Sequence, residues 1–144
     1  MPDKIVVGYD GSEGSKRAVD FAVERASALG ATLVVAHVLE WSPYSFLTPN
    51  ELEERHKRRN EELKRAEEAV LAPLVASLDT SGLTIETSLK YGNIADTLAK
   101  LSRDTGAVQI VIGRQGESGL ASRLFGSVAG SLAQSSTVPV TIVP

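Results

Sequence analysis

Gly113, Gly116, Gly126 and Ser127 stand in the order Gly-x2-Gly-x9-Gly-Ser, directly behind the apolar run Val108-Gln109-Ile110-Val111-Ile112. Glycines let a main chain approach an anion closely and adopt positive φ. A serine that opens a helix adds its hydroxyl to the amides that the first turn leaves unpaired. Such a segment suits the cradling of a phosphate chain, and the ligand it suggests is a nucleotide. Glycines also collect in plain surface loops. Here, however, a strand end, a Gly/Ser-rich loop (Gly119 included) and a helix start follow one another, the order in which backbone amides converge on an anion.

A second group lies at Tyr9-Asp10-Gly11-Ser12, behind another β-branched run. A carboxylate at that point can accept hydrogen bonds from ribose hydroxyls, or help hold a divalent cation such as Mg2+ or Mn2+ among phosphate oxygens. The structural alternative for Asp10 is to cap the following helix, a task Ser12 could equally perform. His37 could act as a base near a ligand, although no carboxylate or nucleophile can be paired with it from spacing alone. Trp41 and Tyr44 could border an adenine pocket or anchor their loop to the core. Arg55-His56-Lys57-Arg58-Arg59 has the look of a nucleic-acid patch. Glu51, Glu53, Glu54, Glu61, Glu62, Glu67 and Glu68 surround it, which favours a solvated, ion-paired helix face.

Short β-branched runs alternating with longer helical patterns must position these groups, and that alternation predicts an α/β fold with a parallel sheet covered on both faces. Strands are expected at Lys4 to Tyr9, Thr32 to Leu39, Thr84 to Tyr91, Val108 to Ile112 and Val138 to Val143. The first helix is expected from about Ser15 to Leu29, with Val19, Ala22, Ala26 and Leu29 on one face and Gly30 ending it. A long helix follows from Glu51, capped by Asn50, with Leu63, Ala66, Val70, Leu74 and Leu78 on its apolar face. Pro73 inside that pattern predicts a kink or an early end. Asn93 to Thr105 reads as a third helix and Ser127 to Gln134 as a short last one. Right-handed crossovers give an open five-stranded sheet in the order 3-2-1-4-5, Rossmann-like, with the proline-led last strand at an edge. In that order Asp10 faces the glycine loop across the point where the winding reverses.

With 144 residues, 42% of them hydrophobic, one domain spanning 1–144 with a substantial core is expected. A formal charge of -3 gives no general attraction to a polyanion, so nucleic acid is not an expected partner. The absence of cysteine excludes disulfides, thiolate metal sites and cysteine redox chemistry. Met1-Pro2-Asp3-Lys4 leads straight into a strand, and no long apolar run occurs, so neither a leader peptide nor membrane insertion is expected and a cytoplasmic setting fits.

Together these residues resemble the universal stress protein family, in its ATP-binding branch, whose motif is Gly-x2-Gly-x9-Gly-Ser/Thr. The resemblance extends to Ile5-Val6-Val7-Gly8-Tyr9-Asp10-Gly11-Ser12, to His37-Val38, to Gly126-Ser127-Val128 and to Val138-Pro139-Val140, nearly the whole chain. It implies an adenine nucleotide alpha hydrolase-like fold and a regulator of stress tolerance that holds ATP, ADP or AMP. Asp10 would touch the ribose, Val38 would hold the adenine, and Gly8 would leave room for the base. Gly113 and Arg114 would flank sugar and phosphates. Gly116, Gly126, Ser127 and Val128 would present amides, and Ser127 its hydroxyl, to the phosphate chain. Family members commonly pair as homodimers through the last strand, and Val140 to Val143 suits such pairing at a sheet edge.

Two enzyme-like readings compete. A slow ATPase or phosphotransferase could use the same cradle with a metal, but no water activator is evident and Gly11-Ser12-Glu13-Gly14-Ser15-Lys16 lacks Walker spacing. A phosphoacceptor receiver domain shares the architecture. Its chemistry needs further acids, whereas the third strand ends in Lys90-Tyr91-Gly92 and the fifth carries no lysine at its end.

Overall fold

The computed structural model describes residues 2–40, 49–78, 82–114 and 121–144, with the backbone alone for 49, 52 and 121–126. Five strands are seen: β1 (Lys4–Gly8), β2 (Thr32–Leu39), β3 (Ile85–Tyr91), β4 (Gln109–Gly113) and β5 (Val140–Val143). They form one parallel sheet in the order β3-β2-β1-β4-β5. Ile5, Val6 and Val7 of the central strand are fully buried although successive side chains point to opposite faces. Such a strand needs cover on both sides, which is why it reads as a continuous apolar run. Its register places Val7 beside Val35 of β2 and Val111 of β4.

The expected order and all five strands are present, with ends shifted by a residue or two. Tyr9 lies past the end of β1 but its amide still donates to the Ala36 carbonyl at 2.8 Å. β5 begins at Val140, because Pro139 has no N–H to give the ladder; its carbonyl still accepts from Ile110 at 3.0 Å.

Helix α1 (Glu13–Leu29) starts two residues earlier than Ser15, capped by Ser12, whose hydroxyl oxygen accepts from the Ser15 amide at 3.1 Å. Its inner face of Ala18, Val19, Ala22 and Ala26 is fully buried, and the small alanines bring the helix close to the sheet. Helix α2 (Pro49–Ala66) runs into a π-helical turn (Glu67–Leu71) and then α3 (Ala72–Ser77). Helix α4 (Ile94–Thr105) is capped by Asn93, which accepts from the Asp96 amide at 3.0 Å, and α5 (Ala121–Ser135) precedes β5. One apolar layer packs α1, the π-turn and α3 on Ile5, Val7, Leu33, Val35 and Val111. The other packs α4 and α5 on Val6, Val34, Ala36, Ile110 and Ile112.

Pro73 produces the expected break, as a widened turn. Its ring would clash with the carbonyl four residues back and it has no N–H to offer. The ladder yields just before it, where the Ala72 amide donates to the Glu67 carbonyl five residues back. The extra residue brings Leu71, absent from the expected apolar face, to full burial between Ala66 and Leu74.

Arg58 pairs with Glu54 at 3.8 Å on the exposed side of α2, in keeping with a solvated charged face. The inner side meets the edge of the sheet at Tyr91, whose hydroxyl donates to Glu62 while the Arg59 guanidinium lies 4.9 Å from its ring centroid. Partial burial, then the Glu62 hydrogen bond and charge, push the Tyr91 phenol up to about 12, against the opposing pull of Arg59. A group whose folded pKa is raised favours the protonated native state. Its stabilising contribution is complete below pH ~10, the unfolded value, and is lost as pH rises toward about 12. Urea midpoints at pH 9 and pH 11 are therefore expected to fall less in Tyr91→Phe than in the parent; equal falls would contradict this assignment.

Candidate functional site

The winding direction reverses between β1 and β4, and the carboxyl ends of these two strands lie side by side. In open parallel sheets this is where ligands settle. Gly113 closes β4 against the first turn of α1. A Cβ added there would lie 2.6 Å from the Gly14 carbonyl oxygen and 2.8 Å from its carbon, closer than Cβ atoms approach such atoms in folded proteins. The glycine is thus required by the contact of two main chains, and that contact sets the end of β4 against the start of α1, just behind the loop that carries Asp10.

Asp10 is fixed within this loop. Its Oδ1 accepts from the Ser12 amide at 2.9 Å, from the Ser12 hydroxyl at 2.5 Å and from the Ser15 hydroxyl at 2.7 Å. The Asp10 amide in turn donates to Ser15 Oγ at 3.2 Å. The loop turns at Gly11, where φ is +87° and the neighbouring atom is Val70 of the π-turn. Ser12 is the helix cap, while Asp10 organises the turn that delivers it. His37 is buried and its Nδ1 stands 2.7 Å from the Tyr9 carbonyl. A carbonyl only accepts, so Nδ1 carries the proton and ties β2 to the residue before Asp10.

On the α4 side of the sheet, Gly8 and Ala36 are level in the register, and Val38 follows on the same face of β2. A Cβ on Gly8 would meet only side-chain methyls, Leu98 Cδ1 at 3.4 Å and Ile112 Cγ2 at 3.5 Å. Gly8 and Ala36 are thus the small residues of that face, and Val38 beyond them is half-buried. The Arg114 amide donates to the Val143 carbonyl at 2.8 Å, so this residue's main chain belongs to the sheet and its exposed side chain is the part that faces solvent.

The last helix differs from expectation. It starts at Ala121, which places Gly126, Ser127 and Val128 in its second turn, where amides bond to carbonyls four residues back. The amides that the helix leaves unpaired belong to its first turn. Ala121, Arg123 and Leu124 are strong helix formers, and a single glycine at 126 costs only about 1 kcal/mol relative to alanine, too little to stop propagation. Ser127 is exposed and Val128 packs half-buried on the α4 layer. Gly116, Gly119, Trp41 and Tyr44 lie outside the described residues.

The Universal stress protein family profile matches residues 1–144. The chain belongs to the universal stress protein family. Universal stress protein YxiE of Bacillus subtilis is 31% identical over 156 residues, covering 99% of this chain and 99% of that protein. The chain spans about half the length of its Mycobacterium relatives, 47% in the case of the universal stress protein of Mycobacterium bovis. Among solved structures, the universal stress protein UspA from Lactobacillus plantarum superposes with a TM-score of 0.82 at 22% identity, covering 99% of this chain and 97% of that one. A universal stress protein in complex with cAMP superposes with a TM-score of 0.62 at 31% identity, covering 99% and 96%.

Within this universal stress protein fold, Gly8, Asp10, Gly113 and Arg114 meet at the β1 and β4 ends, with Val38 one strand away. Sequence patterns did not single out Ser15 as the partner of Asp10; a serine three residues after a cap serine was the available signal. Gly113→Ala is expected to lower stability by about 1–3 kcal/mol, as overpacking against an unyielding backbone does. Gly8→Ala, which meets only side-chain atoms, should cost far less. Urea denaturation of the two variants checks this, and equal midpoints would refute the close-contact explanation.

Proposed function

We propose that this chain binds an adenine nucleotide at the carboxyl edges of β1, β2 and β4 and acts as a nucleotide-dependent regulator in a stress response. One observation carries the reading: the winding reversal places a pre-oriented carboxylate, Asp10, beside the start of a Gly-x2-Gly-x9-Gly-Ser segment. Asp10 would accept from ribose hydroxyls. Gly8 and Val38 would receive the base on their apolar face. Gly113 and the exposed Arg114 side chain would border the sugar and phosphates, with Gly116 and the exposed Ser127 side chain toward the phosphate end; Gly126 and Val128, inside the second turn of α5, would contribute shape rather than free amides. The complex of a 31% identical universal stress protein with cAMP supports an adenylate as the ligand class.

Among the described residues no three His, Asp or Glu side chains converge. A Mg2+ or Mn2+ ion accompanying a triphosphate would therefore draw most of its oxygens from the phosphates and water, a mode natural to these hard cations. The cation would neutralise phosphate charge when bound.

Pairing of two copies through β5 is part of the same proposal. β5 is an edge strand of the sheet, and Ile142 on it remains exposed. An edge of this kind is a template for a second strand. Light scattering is expected to give twice the chain mass for the parent and a shift toward one chain for Ile142→Lys; a monomeric parent would remove the dimer from the proposal.

Titration calorimetry with AMP, ADP, ATP and cAMP, with and without Mg2+, tests the nucleotide reading. At least one adenylate should give saturable heat, and Asp10→Ala should weaken it about tenfold, the loss of roughly one charge-assisted hydrogen bond. Absence of heat with all four would overturn the reading. A parallel time course should show ATP retained rather than consumed; multiple turnovers abolished by Asp10→Ala would make the chain a hydrolase.

A further inference from the structure

Resting on the nucleotide reading above, we propose that Ser15 is the positioning residue of the ribose-binding site: its buried hydroxyl clamps Asp10 in the orientation that a ribose needs. Ser15 sits in the first turn of α1 and is 5% exposed. Its hydroxyl donates to Asp10 Oδ1 at 2.7 Å and accepts from the Asp10 amide at 3.2 Å, closing a ring between one residue's carboxylate and its own main chain. The same oxygen stands 3.0 Å from the Ser12 carbonyl and 3.0 Å from the Ser12 hydroxyl. A hydroxyl has one proton. The anionic acceptor at the shorter distance claims it, and the Ser12 hydroxyl donates to Asp10 as well.

These contacts do more than cap a helix. Ser12 already accepts from the Ser15 amide as the cap of α1, so the Ser15 side chain is not needed for that role. It is spent on Asp10. Donors on Oδ1 from two directions and an amide tied to the same serine leave the carboxylate one setting of its side-chain torsions. A group fixed before the ligand arrives loses no rotamer freedom on binding and keeps its geometry toward the incoming hydroxyls. The His37 ring, held on the Tyr9 carbonyl, secures the main chain on the other side of Asp10. Ser15 thus acts on the ligand only through Asp10, and its effect should be confined to the part of the nucleotide that Asp10 touches.

That confinement separates positioning from a merely structural role. Affinities for ATP and for 2′,3′-dideoxy-ATP, measured by calorimetry with Mg2+ on the parent, Ser15→Ala and Ser15→Cys, give the discrimination due to the ribose hydroxyls. Cysteine keeps the size of the site while offering a weak donor, so it serves where the alanine form does not fold. The parent should prefer ATP by about tenfold, and both variants should bring that ratio to about twofold with the dideoxy affinity unchanged. A ratio that stays at the parent value in both variants overturns the assignment and leaves the nucleotide reading intact. An equal loss for both ligands also overturns it, as the mark of a general packing defect. A parent that binds both ligands equally removes the contact between Asp10 and ribose, and the proposal with it. A parent that binds neither removes the ATP site itself.

Discussion

The main chain of Gly113 rests directly on that of Gly14, and the geometry at the carboxyl ends of β1 and β4 depends on that contact. β1 and β4 are neighbours in the sheet, but neighbouring strands alone would leave their following loops free to diverge. Because the end of β4 has no side chain, the first turn of α1 descends onto it. The turn into α1, with Asp10 just before it, and the end of β4 at Gly113 are thereby held together. Both apolar layers serve this arrangement: the buried alanines of α1 set its height above the sheet, and Leu98 and Ile112 hold the opposite face under Gly8.

In Asp10 a structural role and the proposed ribose contact fall on one side chain. Its hydrogen bonds with Ser12 and Ser15 shape the entry into α1, and the same bonds orient the carboxylate at the sheet edge. The alternatives of helix organisation and ligand contact, which compete when only the residue order is known, are compatible once the partners are seen. A polar group that must be held still is well served by a network that also starts a helix, because the amides and hydroxyls are there in any case.

The relatives differ in length, and the chain fills a whole protein in one lineage and about half of one in another. The carboxyl ends of β1 and β4 and the open side of β5 are distinct parts of the sheet.

Much was legible in the residue order. β-branched runs such as Ile5-Val6-Val7 and Leu33-Val34-Val35 can be stable only as doubly covered strands, and the crossover rule then leaves few orders for five of them. Asp10 and the glycine motif were legible as chemistry, because residue type and position after a strand limit what they can do. Local pattern could not supply the exact helix limits. The start of α5 at Ala121 reflects propagation through a glycine, a cooperative property of the segment, and the π-turn before Pro73 reflects how the helix refits to the sheet so that Leu71 is buried. Only the tertiary structure decided why Gly113 must be glycine, that His37 holds the Tyr9 carbonyl, and that Ser15 grips Asp10. Each of these is a contact between groups whose approach depends on the packing of whole elements. Periodicity records which face of an element is buried, and it carries no information on which atoms meet there.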